Sequence, residues 1–149
     1  MKMRRIGSNG LTVSAMGLGC MGMSMTYGKP NDLLTGTVDT GSLSSNDFRK
    51  VLPKFQGENL IENQQHIAAF KEFAAIKSWT PAQLALTWLL AQGEDIVPIP
   101  GTKKVSYLEE NIKAIELELS ENELAHLNQL LPPNIFKGEK YPSEINFEV

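Results

Sequence analysis

The stretch Pro98-Ile99-Pro100-Gly101-Thr102-Lys103-Lys104 begins at the end of a short β-branched run, residues 96–99. It leads into a helix that starts near Lys104. Because proline cannot donate to a sheet ladder, the run is typical of a barrel or edge strand rather than a central one. The turn combines a glycine, a hydroxyl and two lysines in front of a helix N-terminus. Free amides and the helix dipole favour a bound anion there. A phosphate site is therefore slightly favoured over the alternative, a solvated basic turn.

Helical patterns lie on both sides of this turn. The chain from Glu58 onward has one apolar face with helical spacing, made of Leu60, Ile67, Phe70 and Ala74. Capping boxes at residues 80–83 and 120–123 predict two further helix starts. The helix over residues 82–91 is apolar nearly all round, which predicts neighbours on several sides, and Gly93 is its expected C-cap.

Two more apolar stripes complete the helical part. The helix from near Lys104 is expected to bury Val105, Leu108, Ile112 and Ile115. The last helix is expected to turn Leu124, Leu127 and Leu131 inward and to stop at Pro132-Pro133. The second half therefore reads as helix, helix, short strand, helix, helix.

The N-terminal part reads as strands. Ser8-Asn9-Gly10 predicts a tight hairpin between residues 3–6 and 11–14, and residues 15–20 form a second short run suited to a buried strand. Residues 17–22 match the spacing G-x-G-x-x-G, but no helical stripe follows them, so a dinucleotide fingerprint of the Rossmann type is not expected. Residues 25–53 show no period, which indicates a functional loop, a linker or a missing portion.

Composition narrows the class of protein. The hydrophobic content of 42%, the charged content of 21% and the net charge of −3 are those of an ordinary globular chain with no general attraction to nucleic acid. No apolar run is long enough to span a membrane and no targeting segment is recognisable, so we expect a cytoplasmic protein of one domain. Its single cysteine, Cys20, excludes an internal disulfide.

The remaining reactive side chains do not form a site in the sequence. His66 and His126 lack a second ligand at a metal spacing, so neither is expected to bind a metal. Cys20 has no neighbour that would lower the pKa of its thiol, and an inert buried thiol is expected. Trp79 and Trp88 are expected in the core.

Several longer segments resemble bacterial and plant aldo-keto reductases: residues 11–14, 16–23, 55–59, 80–86, 88–93, 96–103 and 108–111. The resemblance implies an α/β fold of the (β/α)₈ type, which typically needs about 250 residues. This chain would hold the N-terminal hairpin and first strand in residues 1–29, an irregular seam in 30–57, the C-terminal helical part in 58–131 and a tail in 132–149. The two matching blocks meet near residues 29–32, so we expect a single incomplete barrel domain.

The resemblance also implies a cofactor, NADP(H). The family's loop for the 2′-phosphate and adenine carries over to Gly101, Thr102, Lys103, Glu110 and Asn111, with Lys104 as a helper. The first-strand positions near the nicotinamide carry over to Gly19, Cys20 and Met21.

The catalytic groups of the family do not carry over. Its general acid is a tyrosine in a D-T-A-x-x-Y-G segment, and Tyr27-Gly28 imitates only the end of that segment. Asp39-Thr40-Gly41 imitates only its start. We therefore assign no catalytic residue, and a small carbonyl substrate is expected only if the chain is active.

Three interpretations stay open. Under these interpretations the chain is a reductase by descent that is inactive alone, a non-catalytic module that binds NADP(H) or phosphate, or an internally deleted gene product. An unclosed barrel would also leave open edges that favour self-association.

Overall fold

The computed structural model describes residues 2–8, 10–19, 47–102, 104–139 and 142. Within these ranges the chain forms a two-stranded sheet and four α-helices: β1 (Met3–Ile6), β2 (Leu11–Ser14), α1 (Gly57–Ile76), α2 (Pro81–Leu90), α3 (Val105–Lys113) and α4 (Glu121–Leu130). Short 3-10 helices occupy Phe48–Val51, Pro53–Phe55 and Ala114–Glu116. None of the helices in these ranges has the length and apolar character needed to cross a membrane.

The predicted N-terminal hairpin is confirmed. β1 pairs with β2 in antiparallel register from Met3 opposite Ser14 to Ile6 opposite Leu11. The connection runs from Gly7 to Gly10, and both glycines adopt left-handed backbone angles, with φ of 65° and 68°. The connection is therefore longer than a two-residue Asn-Gly turn. The glycines at its two ends adopt the left-handed conformation that lets the chain reverse direction.

The two further strands that the sequence predicts do not form as such. Residues 96–99 are irregular, and residues 15–19 reach only an isolated parallel bridge between Gly19 and Gly101. The physical reason lies in Pro98 and Pro100, which lack N–H groups and can only accept hydrogen bonds. Gly17 and Gly19 donate to their carbonyls over 3.0 Å each, so the segments pair on one side without forming a ladder.

The helix starts follow the predicted capping boxes. Thr80 caps α2 and Ser120 caps α4, and in each box the third helical residue, Gln83 or Glu123, bonds back to the cap. These bonds satisfy amides that the first helical turn leaves without partners. The apolar face of α1 is confirmed too, because Ile67, Phe70 and Ala74 are buried and Leu60 is half-buried.

Two details of the helix predictions are wrong. α2 ends at Leu90 with Ala91 as its C-cap, and Gly93 lies beyond the cap without a left-handed φ. In α3 the predicted stripe is only partly buried, since Val105 is 72% and Ile112 37% exposed, whereas Leu108 is half-buried. The chain tightens into a 3-10 turn after Lys113, and this turn, rather than α3, carries Ile115 into the core.

Among the described residues, the core has two apolar clusters, on different faces of α2. Leu84 packs in one cluster with Phe70, Ala74 and Leu127, and the half-buried Trp79 and Trp88 lie against it. Leu86 belongs to the other cluster, together with Ala15, Met16, Ala114 and Ile115. The prediction that α2 is covered on several sides is therefore confirmed, although Leu89 stays 36% exposed.

Two polar side chains, Arg4 and Asn63, bond to the backbone of segments that pack beside the core. Arg4 of β1 donates to the carbonyls of Leu90, Gly93 and Ile96, at and beyond the C-terminal end of α2. The fully buried Asn63 of α1 donates to the carbonyls of Lys54 and Lys137 and accepts from the Lys137 N–H at 2.8 Å. Both side chains bond to backbone groups outside their own strand or helix, so they fix how these segments pack.

Candidate cofactor site

Gly19 and Gly101, which come from distant parts of the sequence, are in direct contact. The Gly19 N–H donates to the carbonyl of Pro100 over 3.0 Å, and the two glycines form a parallel bridge. A Cβ at Gly19 would lie 2.4 Å from the carbonyl oxygen of Ile99, so only glycine fits this approach. The structure thus places the predicted first-strand position beside the predicted phosphate turn.

Thr102 shapes the turn that follows this bridge. The residue is buried, and its hydroxyl accepts from the N–H of Lys104 and donates to the carbonyl of the same residue, over 3.3 and 3.2 Å. A side chain that bonds backbone two residues ahead stabilises a turn of the ST type. Thr102 therefore directs the chain into α3.

The N-terminal end of α3 offers donors for an anion. Its N-cap is Lys104, which provides no side-chain cap, and the first intrahelical bond runs from the Leu108 N–H to the Lys104 carbonyl. The N–H groups of residues 105–107 therefore have no acceptor within the helix. The Lys104 ammonium adds positive charge at this end and lies 5.2 Å from the ring centroid of Tyr107.

Glu110 lies on α3 but is bonded to the start of α2. Its Oε1 accepts from the Thr80 hydroxyl over 2.5 Å, and its carbonyl accepts from the Gln83 side-chain amide over 3.3 Å. Both donors belong to the capping box of α2. The capping box was visible in the sequence, but its link to Glu110 depends on helix packing and was missed.

Asn111, the next residue, is 9% exposed. Its side chain makes no hydrogen bond to another residue within the described part of the chain, whereas its carbonyl accepts from the N–H of Ala114. A buried amide has strong donor and acceptor capacity, so this position suits recognition of a polar ligand edge.

Three of the predicted cofactor residues lie outside the described residues: Cys20, Met21 and Lys103. Tyr27, whose catalytic role the sequence argues against, and the seam near residues 29–32 also lie outside them. The described candidates are Gly19, Gly101, Thr102, Glu110 and Asn111, all at the bridge, the turn or α3.

A cavity of about 330 Å³ occupies a different part of the molecule. It lies between β1, the C-terminal end of α2 and residues 115–119, and none of the candidate cofactor residues lines it. Its charged lining residues include Lys2 and Glu118, which form an exposed ion pair at 3.6 Å. Exposed pairs of this kind contribute little to stability or to binding.

Two carboxylates with lowered pKa values also lie elsewhere. The Arg49 side chain bonds to Asp47 and holds the pKa of that carboxyl below its usual value. The Lys77 ammonium, 2.7 Å from Glu123, and the bonds from Ser120 lower the pKa of Glu123 to about 2. Both groups sit at helix starts, so the shifts follow from capping and ion pairing.

Within the described ranges, no three His, Cys, Asp or Glu side chains are grouped so that they could hold a metal ion. The polar groups at the turn and along α3 are instead backbone N–H groups at its start, the Lys104 ammonium and, near its C-terminal end, the side-chain amide of Asn111. Such donors suit an anion with a hydrogen-bonding edge rather than a cation.

Comparison with known proteins gives consistent matches. Residues 15–132 match the model of the Aldo/keto reductase family. The chain is similar to Aldo-keto reductase yakc, NADP(+), of Schizosaccharomyces pombe, with 42% identity over 64% of this chain and 28% of the relative. It is 38% identical to Aldo-keto reductase str7 of Strobilurus tenacellus over 72% of this chain and 32% of the relative. Probable aldo-keto reductase 1 of Glycine max is 41% identical over 67% of this chain and 29% of the relative.

The matched part therefore spans less than a third of the length of each relative. The family model, by contrast, covers most of this chain. The small α/β arrangement of four helices and a two-stranded sheet in the described ranges is consistent with part of a (β/α)₈ barrel. On these matches, the chain belongs to the aldo/keto reductase family.

Proposed function

We propose that this chain binds NADP(H) through the 2′-phosphate and adenine end of the cofactor and does not reduce carbonyls alone. The phosphate would meet the turn at Gly101, Thr102 and Lys103 and the amides at the start of α3. Glu110 and Asn111 would face the adenine. The observation that carries the proposal is the uncapped N-terminus of α3 directly after a turn that Thr102 shapes.

The electrostatics of the turn support a phosphate ligand. Amides without an intrahelical acceptor and the helix dipole place partial positive charge at the start of α3. Lys104 adds a full charge at the same end. The name of the similar S. pombe protein contains NADP(+), which supports a phosphorylated dinucleotide for this chain.

The proposed architecture is a partial barrel. Residues 1–29 would supply the hairpin and first strand, 30–57 a seam, 58–131 the last helices with the phosphate turn, and 132–149 a tail. The contact between Gly19 and Gly101 supports this arrangement, because first and last strands are neighbours in a closed barrel.

Binding titrations with NADPH and NADH test the proposed ligand. We expect NADPH to bind more tightly than NADH, and Lys103→Ala to weaken NADPH binding about tenfold or more, since a charged phosphate contact is lost. Lys113→Ala is the matched control, because Lys113 lies at the opposite end of α3. Equal binding of both cofactors, or no binding, would contradict the proposal.

An activity assay tests the catalytic part of the proposal. With NADPH and an aromatic aldehyde we expect no turnover, since the resemblance implies an Asp, a Lys and a His beside the family's catalytic tyrosine and this sequence has no match for that set. Turnover that disappears in Tyr27→Phe would show that the chain is an active reductase.

A further inference from the structure

The capping box of α2 touches the proposed nucleotide site. We infer that Thr80 is a positioning residue for NADP(H). It holds the Glu110 carboxylate in the orientation in which, in the proposed complex, that carboxylate contacts the adenine. This inference rests on the proposed function and adds a residue to it. Thr80 itself would not touch the cofactor.

The hydroxyl of Thr80 has two partners at once. It accepts from the Gln83 N–H over 3.2 Å as the N-cap of α2, and it donates to Glu110 Oε1 over 2.5 Å. A hydroxyl has one proton to donate, so the bond to Glu110 uses its whole donor capacity. The side chain of Thr80 is therefore fixed by α2 on one side and fixes α3 on the other.

Glu110 is restrained at two points. Its Oε1 is held by Thr80, and its backbone carbonyl accepts from Gln83 Nε2. A carboxylate has a second oxygen with further acceptor sites, so Oε2 can accept from a ligand while Oε1 stays bonded. Holding a long, flexible glutamate in one orientation before binding reduces the conformational entropy that binding would otherwise cost.

The chain provides a matched control for this role. Ser120 caps α4 through the same kind of box, and its hydroxyl bonds to Glu123 of its own helix. Removing either hydroxyl costs a helix cap of similar strength. Of the two, only Thr80 bonds to Glu110.

The test compares NADPH dissociation constants in the full chain. We expect Thr80→Ala to weaken binding about three- to tenfold, the size expected for loss of one hydrogen bond, and Thr80→Ser to restore it. Ser120→Ala should lower the melting temperature about as much as Thr80→Ala does, and it should leave the NADPH dissociation constant unchanged. In a Glu110→Ala background, Thr80→Ala should have no further effect on binding.

Other outcomes would overturn the inference. Unchanged NADPH binding in Thr80→Ala, with weaker binding in Glu110→Ala, would remove the role of Thr80 and leave the proposed function standing. No binding by the unsubstituted chain would remove both. If Thr80→Ala does not fold, Thr80→Asp keeps a favoured cap and breaks the bond to Glu110, so unchanged binding in that variant would overturn the inference as well.

Discussion

Two glycines allow two segments that are distant in the sequence to pair. The bridge between Gly19 and Gly101 brings backbone so close that a side chain at Gly19 would overlap the Ile99 carbonyl oxygen. At Gly101 the nearest atom to an added Cβ is the Gly19 carbonyl oxygen at 3.4 Å, which is ordinary contact. The two glycines therefore have different steric requirements although they pair with each other.

This difference predicts unequal costs for the same substitution. Gly19→Ala should lower the free energy of unfolding by about 1–3 kcal/mol, because the backbone has to move to admit the methyl group. Gly101→Ala is the control and should cost less. Chemical denaturation of both variants measures the difference, and equal costs would contradict the close approach at Gly19.

Pairs of elements are joined by side chains at their ends. Arg4 of β1 donates to the carbonyl of Leu90, the last residue of α2, and to the carbonyl of Gly93 just beyond it, where a cation also interacts favourably with the helix dipole. Lys77, just after α1, pairs with Glu123 in the first turn of α4 and lies 4.8 Å from the ring of Trp79. These contacts orient the helices that surround the core.

Removing the Arg4 guanidinium should loosen the hairpin from α2. We expect Arg4→Met to lower the free energy of unfolding by about 1.5–3 kcal/mol, because hydrogen bonds from a charged donor to three carbonyls are lost. Arg5→Met, at the exposed neighbouring position of the same strand, should have a smaller effect. A larger loss in Arg5→Met would argue against this role of Arg4.

The bond between α1 and α4 should depend on pH. The pKa of Glu123 is lowered from its usual 4.5 to about 2, chiefly by the Lys77 bond. A carboxylate with a lowered pKa stabilises the fold above its ordinary pKa and loses this contribution as the pH falls. The stabilisation from Glu123 should therefore be complete above pH 4.5 and disappear as the pH approaches 2.

The variant Glu123→Gln measures this contribution. At neutral pH it should be less stable than the unsubstituted chain by about 1 kcal/mol, since the pair is partly exposed. The difference should shrink in denaturation series between pH 4.5 and pH 2. Glu121→Gln, at an exposed position of the same turn, is the control. A difference that stays constant with pH would exclude the proposed linkage.

For the molecule as a whole, the proposed partial barrel leaves apolar side chains exposed beside the bridge. Ile99 is 68% and Leu18 43% exposed, and both lie in the segments that pair through Gly19 and Gly101. In a closed barrel such segments have neighbours on both sides. Exposed apolar side chains favour association with another chain.

We therefore expect self-association that depends on Ile99. The apparent mass in size-exclusion chromatography with light scattering should rise with protein concentration, and Ile99→Ser should reduce the rise. Ile76→Ser is the matched control, because Ile76 is 76% exposed at the end of α1 and belongs to neither segment of the bridge. A monomer at all concentrations would contradict this expectation, and a sharp thermal transition would argue against a deletion product that does not fold.

The helix starts, the hairpin and the family could all be predicted from the amino-acid sequence. Capping boxes at Thr80 and Ser120 predict the first residues of α2 and α4 to within one residue, since a cap bonds only to amides in the first helical turn. The edge strand expected at residues 96–99 does not form, because Pro98 and Pro100 have no N–H group to donate to a ladder and only accept from Gly17 and Gly19. The stripe predicted for α3 was wrong at Val105 and Ile112, which are exposed, whereas Ile115 is buried in the 3-10 turn that follows the helix.

Local order in this protein thus follows from the sequence, because caps, turns and periodic apolar faces depend on bonds within a few residues. The contacts that assemble the candidate site do not follow from it. The bridge between Gly19 and Gly101, the bond from Thr80 to Glu110 and the reach of Arg4 onto α2 each join residues far apart in the chain. They exist because burial of apolar surface on two faces of α2 brings these segments together, and this packing is a property of the tertiary structure.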